Sequence, residues 1–253
     1  MVDVPASAQG IPQRAVSLPF ADRSAAGRLL GARLLGLSAD SAAGLSPGGL
    51  SPGGTVVLAL PRGGVPVALA VAAALHAPLD VLVTRKIGYP PQPELGVGAL
   101  AEGGQPVFDE EMLARLGLTA AALGPVVRRE RAELARRVAA YRGGPLTMAI
   151  AGRDVIVVDD GLATGVTARA ALRAVRGAGA GRAILAVPVA ASASAAAMHG
   201  EADLVVALVT PPRFRAVGQW YQSFGQLTDA DVIRLLGRTA GPGTAGSGPG
   251  TAS

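Results

Sequence analysis

A chain of 253 residues can bury a substantial core and reads as one α/β domain with extensions rather than as two full domains. Half of the residues are apolar but only 3% are aromatic, so the core must be built from Ala, Val and Leu, a composition suited to helices laid closely on a sheet. The absence of cysteine excludes disulfides and thiolate metal sites, and a net charge of +5 fits anionic small substrates as readily as nucleic acid.

Residues 1–16 are rich in Pro, Ala and Gln, are expected to be loose, and lack the basic-then-apolar order of a secretory signal. A helix follows over 21–37, with Leu29, Leu30, Leu34 and Leu35 at helical spacing. Residues 38–54, with their repeated Leu-Ser-Pro-Gly-Gly, read as a linker. From Thr55 a strand (55–60), a helix (65–76) and a second strand (79–84) make a parallel βαβ unit. Residues 88–93 are rich in Gly and Pro. Short strands at 95–100 and 105–108 flank Glu102-Gly103-Gly104, as in a mobile flap or small hairpin.

Asp109 can cap a helix containing Met112 and Leu116, and Thr119 can start a long helix to Tyr141 with Val127, Leu134, Val138 and Tyr141 as its apolar stripe. The charges on this helix could form a nucleic-acid face, but Arg129, Glu133 and Arg137 are spaced as helix-neighbour pairs, which favours a solvated face. A strand at 155–158, helix 166–176, strand 183–187, helix 192–198 and strand 203–209 complete about five core strands. The stretch 183–198 is apolar but broken by Pro188, poor material for a membrane span. Thr228 and Asp231 cap a last helix over 228–236, and the polar tail from Thr239 has nothing to bury. The expected fold is α/β, a parallel Rossmann-like sheet with a small flap, to which the family resemblance given below adds a hood. Residues 1–54 are its N-terminal extension, 55–238 its main domain and 239–253 a disordered tail.

The most informative stretch is Val155-Ile156-Val157-Val158-Asp159-Asp160-Gly161-Leu162-Ala163-Thr164-Gly165-Val166-Thr167. Four β-branched residues suit a buried parallel strand, and ligands settle at the carboxyl ends of such strands. Backbone N–H groups at the following helix start can cradle a phosphate, helped by the hydroxyls of Thr164 and Thr167. Adjacent carboxylates suit vicinal hydroxyls, taken directly or through Mg²⁺. A sugar phosphate satisfies both halves. The bland alternative is a buried strand before a capped helix, with incidental acids.

These thirteen residues resemble the signature of the type I phosphoribosyltransferases: an aliphatic run, two acids, a short loop, Thr-Gly, one residue, then Ser or Thr. The resemblance implies that Asp159 and Asp160 bind the ribose hydroxyls of 5-phosphoribosyl-1-pyrophosphate (PRPP), and that Ala163, Thr164, Gly165, Val166 and Thr167 wrap its 5′-phosphate. Leu60-Pro61-Arg62-Gly63-Gly64 leaves the first strand for a helix on the same sheet edge and resembles the family's pyrophosphate loop, although a plain strand-to-helix turn is the alternative. Arg85 and Lys86, expected to end the next strand, could neutralise a departing pyrophosphate or form a snorkelling surface pair. Lys86 is the sole lysine among 23 basic residues.

Residues 93–104 resemble a segment of a bacterial branch of the family that also occurs fused to a hydrolase domain; no such domain fits here. Glu94 and Glu102 read equally as acid/base groups of a mobile loop or as plain flap acids. Phe214, Trp220, Tyr221 and Phe224 gather beyond the last core strand, where the resemblance implies a hood over the acceptor with Phe214 and Trp220 as candidates and the N-terminal helix as its other side; Trp220 and Phe224 could equally pin the C-terminal helix. His76 and His199 read as helix-end residues. The resemblance implies transfer from Mg²⁺-bound PRPP to a ring nitrogen with loss of pyrophosphate, a place in nucleotide metabolism, small-molecule partners and compatibility with a homodimer, while the lack of cysteine, of a secretory signal and of a membrane span leads to the expectation of a cytoplasmic location. Arg62 and Lys86 join the Asp pair as catalytic candidates. Asp-Asp-x-Leu-Ala-Thr-Gly looks closer to the adenine-type loop than to that of 6-oxopurine enzymes. A non-catalytic PRPP-binding regulator is the rival reading, weakened by the lack of a helix-turn-helix before Thr55. An interaction protein with a vestigial pocket is a third, and the intact acid pair argues against it.

Overall fold

Five aliphatic runs, β1 (Thr55–Ala59), β2 (Leu79–Val81), β6 (Asp154–Val158), β7 (Arg182–Val189) and β8 (Leu204–Val209), form a parallel sheet in the order β2-β1-β6-β7-β8. The computed structural model describes residues 17–42, 50, 54–144, 146 and 148–237; the expectations for residues 1–16 and 239–253 lie outside this set. Strand side chains alternate between the two faces. Val57, Ala59, Ile156, Val158, Ile184 and Ala186 pack beneath α1 (Arg23–Ala42), α2 (Gly64–Leu75) and α4 (Gly124–Arg142). Val56, Leu58, Val155, Val157, Ala183 and Leu185 face α5 (Val166–Gly177) and α6 (Ser192–Met198). Both faces are covered, which explains the nearly unbroken aliphatic strands.

Small side chains set how closely the helices approach. A Cβ added at Gly27 of α1 would lie 2.6 Å from the Val67 carbonyl and 2.9 Å from Ala70 Cβ of α2. Ala26, Leu30 and Leu34 form the buried stripe of α1, whereas Leu29 and Leu35 remain exposed. The helix continues to Ala42, past the expected end at Leu37 and into the expected linker. Leu50, also assigned to that linker, is buried in the core.

A second, antiparallel sheet, β3-β4-β5, stands beside the first. It consists of β3 (Thr84–Tyr89), β4 (Gln92–Ala101) and β5 (Val107–Phe108), so the Gly/Pro-rich stretch after Thr84 is a paired strand and a tight reversal. Arg85 and Lys86 consequently lie inside β3 of this second sheet rather than at the end of a core strand. Asp109 caps α3 (Glu110–Leu116), its side chain accepting from Met112 N at 3.0 Å. Thr119 does not start the long helix: its Oγ1 accepts from Ala122 N ahead of a single 3-10 turn, and α4 proper begins five residues later, with Pro in its first turn.

On α4, Arg137 pairs with Glu133 as its spacing predicts, while Arg129 turns instead to Glu130. Glu130 is buried, contrary to a fully solvated charged face. The last helix, α7 (Asp229–Gly237), starts at the expected cap, with Thr228 and Asp231 exchanging hydrogen bonds at 2.8 and 3.1 Å. His76 ends α2 in the left-handed region at φ 49° and His199 ends α6, both at the expected helix ends. No helix among the described residues is long and apolar enough to cross a membrane.

Candidate active site

The core strand order reverses direction between β1 and β6, and in open α/β sheets that switch point is where a crevice opens at the carboxyl ends. The two loops leaving these strands carry Arg62-Gly63-Gly64 and Asp159-Asp160. They touch. A Cβ at Gly63 would collide with the Asp160 carboxylate, and one at Gly64 would sit 2.5 Å from the Val158 carbonyl. Any side chain at these two positions would drive the loops apart, so the glycines are a condition of the crevice. The Pro61–Arg62 peptide is cis.

Beyond the acids the chain is registered by Leu162, whose N–H donates to Val189 O at 2.9 Å and whose carbonyl accepts from Ala191 N at 2.8 Å. Gly165 then takes φ 78°, ψ −2° as N-cap of α5, with no side chain closing the cap. The N–H groups of Ala163, Thr164, Gly165, Val166, Thr167 and Ala168 have no protein acceptor among the described residues. Open amides at a helix N-terminus, where the partial positive charge concentrates, form an anion nest. Ala163 and Thr164 are exposed at its mouth.

The acids are half-buried in the crevice. Asp159 Oδ1 accepts from Asp160 N at 2.8 Å, and Asp160 Oδ2 accepts from Arg23 Nε at 2.8 Å. Burial, followed by the neighbouring Asp160 charge, pushes the Asp159 carboxyl well above the usual carboxylate range, while Arg23 pulls the other way. Asp160 is also raised by burial, against the hydrogen bond and charge of Arg23. The Tyr221 hydroxyl donates to the Asp160 carbonyl at 2.5 Å, and burial holds that phenol protonated far above its ordinary value. The sequence places Tyr221 and the N-terminal helix at the hood, but not the contacts that Arg23 and Tyr221 make with Asp160. One clue was present: Arg23 opens a helix with no acid in its first turn, a poor place for a cation unless a partner lies elsewhere.

The basic candidates separate. The Arg62 side chain is 39% exposed, with Nη1 3.6 Å from Asp229 Oδ1. Lys86 is exposed on β3, its stem crossing Gly96 of β4. Arg85, on the opposite face of the strand, donates to buried Glu130 through Nε at 3.0 Å and Nη2 at 2.7 Å. Of the two undecided acids, Glu94 is exposed on the hairpin, whereas Glu102 is bound by Arg142 and by Leu146 N.

The aromatic segment lies against the same crevice. Val217 covers Gly161, where an added Cβ would meet its Cγ1 at 2.5 Å. Phe214 stacks on Trp220 with centroids 6.4 Å apart, and Tyr221 on Phe224 at 5.0 Å. Trp220 O accepts from Phe20 N, and the Phe224 ring lies 3.7 Å from the Arg23 guanidinium carbon, so this segment pins the N-terminal segment as well as roofing the acids.

A family model described as a phosphoribosyl transferase domain matches residues 51–206, a span that holds both crevice loops and the nest. The chain belongs to that family. Two Mycobacterium tuberculosis proteins, provisionally named phosphoribosyl transferases, are 48% identical over 183 residues, 72% of this chain but 41% of their own length. The chain therefore spans less than half the length of those curated relatives. The crystal structure of TT1426 from Thermus thermophilus is 41% identical, with a TM-score of 0.68 over 88% of this chain and 99% of that one.

Proposed function

We propose that the protein transfers a phosphoribosyl group from PRPP to a nitrogenous, nucleobase-like acceptor with release of pyrophosphate. The observation that carries this reading is the union, at one switch point, of a half-buried acid pair and an unsatisfied amide nest. Asp159 and Asp160 would take the ribose hydroxyls, and the backbone and hydroxyls of residues 163–167 the 5′-phosphate. Arg62, Gly63 and Gly64 would hold the pyrophosphate from one side and Lys86 from the hairpin. Arg85, committed to Glu130, is the less available of the two neighbouring cations.

Among the described residues no group of three or more His, Cys, Asp or Glu could hold a metal, so the donors fit an ion that arrives with phosphate ligands rather than a resident one. Asp159 and Asp160 would hold Mg²⁺ directly or through water, and the ion would neutralise charge on the departing pyrophosphate. The chain's own work is positioning: the nest and acids fix the sugar, and Arg62 and Lys86 stabilise charge that develops on the leaving group. The β3–β4 hairpin would exclude water, and Phe214 and Trp220 would flank the acceptor. A cytoplasmic location belongs to the same proposal.

Titration calorimetry with PRPP and Mg²⁺, followed by a pyrophosphate-release screen across purines, pyrimidines and related heterocycles, tests it. Saturable binding with release on one acceptor class is expected. Binding without release on any acceptor would favour the non-catalytic PRPP-binding regulator.

A further inference from the structure

Arg23 is gripped on three sides. Its Nε donates to Asp160 Oδ2 at 2.8 Å, its Nη1 donates to the Gly225 carbonyl at 2.9 Å, and its guanidinium lies over the Phe224 ring at 3.7 Å. Only 12% of the side chain is exposed. The planar fork of Arg can serve a carboxylate, a carbonyl and an aromatic face together, which a lysine ammonium cannot. Helix stability does not explain this placement, because a cation in the first turn opposes the helix dipole.

The segments bearing Arg23 and Phe224 are also fastened to each other. Phe20 N donates to Trp220 O and Gln222 N to Phe20 O, both at 2.8 Å, and Ser223 N donates to Ala21 O at 3.0 Å. Tyr221 holds the Asp160 backbone from the same segment. Arg23, Tyr221 and Phe224 all lie outside residues 51–206, which match the family model. Segments from before and after that span thus meet on the second acid of the pair.

We propose that Arg23 is a positioning residue for the sugar. Locked by Phe224 and Gly225, it fixes the Asp160 carboxylate so that both acids meet the ribose diol in one arrangement. Two adjacent carboxylates repel each other, and a charge-assisted hydrogen bond to one of them removes its freedom to swing away. This inference rests on the phosphoribosyl reading of the pocket.

Calorimetry on the full chain without Mg²⁺ tests it with two probes: ribose 5-phosphate, which carries both diol and phosphate, and inorganic phosphate, which has no diol to meet the acids. Arg23→Ala is expected to weaken ribose 5-phosphate by about tenfold or more while leaving inorganic phosphate unchanged. Arg23→Lys should restore part of the loss, and Phe224→Leu should produce a smaller loss in the same direction. Unchanged or tighter ribose 5-phosphate binding in Arg23→Ala would overturn the proposal. Should that variant fail to fold, equal affinity in Arg23→Lys and Phe224→Leu does the same. A wild type that binds neither probe would sink the pocket reading and this inference with it. A wild type that binds both, with variants that do not differ from it, sinks the inference alone.

Discussion

The hairpin side of the molecule and the β1/β6 crevice are built from the same charged residue types, yet they treat charge in opposite ways. At the hairpin, Glu130 receives Arg85 and Arg129, and Arg142 binds Glu102, the Val81 carbonyl and, at 3.6 Å, Asp80. In the crevice, one guanidinium binds only one of two adjacent carboxylates, and a row of amides has no protein acceptor among the described residues. Paired charges tie β3 to α4, while unmet hydrogen-bonding capacity is what a ligand completes. The difference teaches that density of charge does not locate a site; incompleteness does.

Arg85 and Lys86 give the sharpest way to break this contrast, since they are neighbours on opposite faces of one strand. Lys86→Met should cut turnover about 10²-fold, as loss of a transition-state donor does, with no change in melting temperature. Arg85→Met should instead destabilise the fold by about 1–3 kcal/mol, because it leaves buried Glu130 Oε2 without its donors while Arg129 still holds Oε1, and the folded fraction should keep its PRPP affinity. Denaturant melts and steady-state kinetics on both variants check this; matching profiles would erase the distinction.

Gly165→Val tests the nest. A β-branched residue at φ 78° should cost about 1–2 kcal/mol and weaken inorganic phosphate by roughly tenfold or more, read by melting and calorimetry. Asp159→Asn should do the reverse to stability, raising it by about 0.5–2 kcal/mol while PRPP binding falls, since it removes a half-buried charge held beside Asp160. Both acids titrate above their ordinary values in the fold, so the native chain takes up protons more readily than the unfolded one. Lowering pH from neutral toward the usual carboxylate range should therefore narrow the gap between wild type and Asp159→Asn in thermal melts. The smallest effect is expected on the outer face of α4: Arg128→Ala and Arg131→Ala should each stay within about 0.5 kcal/mol and leave turnover unchanged.

Local chemistry made much of the crevice legible in advance. Strand, acids, glycine and helix start are consecutive in 155–167, and β-branched runs, caps and turn residues specify structure over a few positions. The same holds for 60–64, for Asp109 and for Thr228. What escaped depends on contacts between distant residues. Arg23 reaches Asp160 across 137 positions, and no periodicity encodes such a meeting. Glu130 sits in a charge-rich helical stretch that resembles a solvated face, and only the arrival of β3 buries it. Residues 84–89 contain Gly88 and run into two prolines, so breakers hid a strand whose partner supplies the ladder. The aromatic cluster was visible as composition, but its attachment to Phe20 and Arg23 was not.

The central claim is that the neighbouring acids and the amide nest form one sugar-phosphate pocket. Titration of PRPP with Mg²⁺ into wild type and into the Asp159→Asn, Asp160→Asn double variant tests it most directly. Saturable binding in the wild type, weakened by roughly 100-fold or more in a variant that still melts cooperatively, is the predicted result. Equal affinity in the two proteins, or no binding by the wild type, would contradict it.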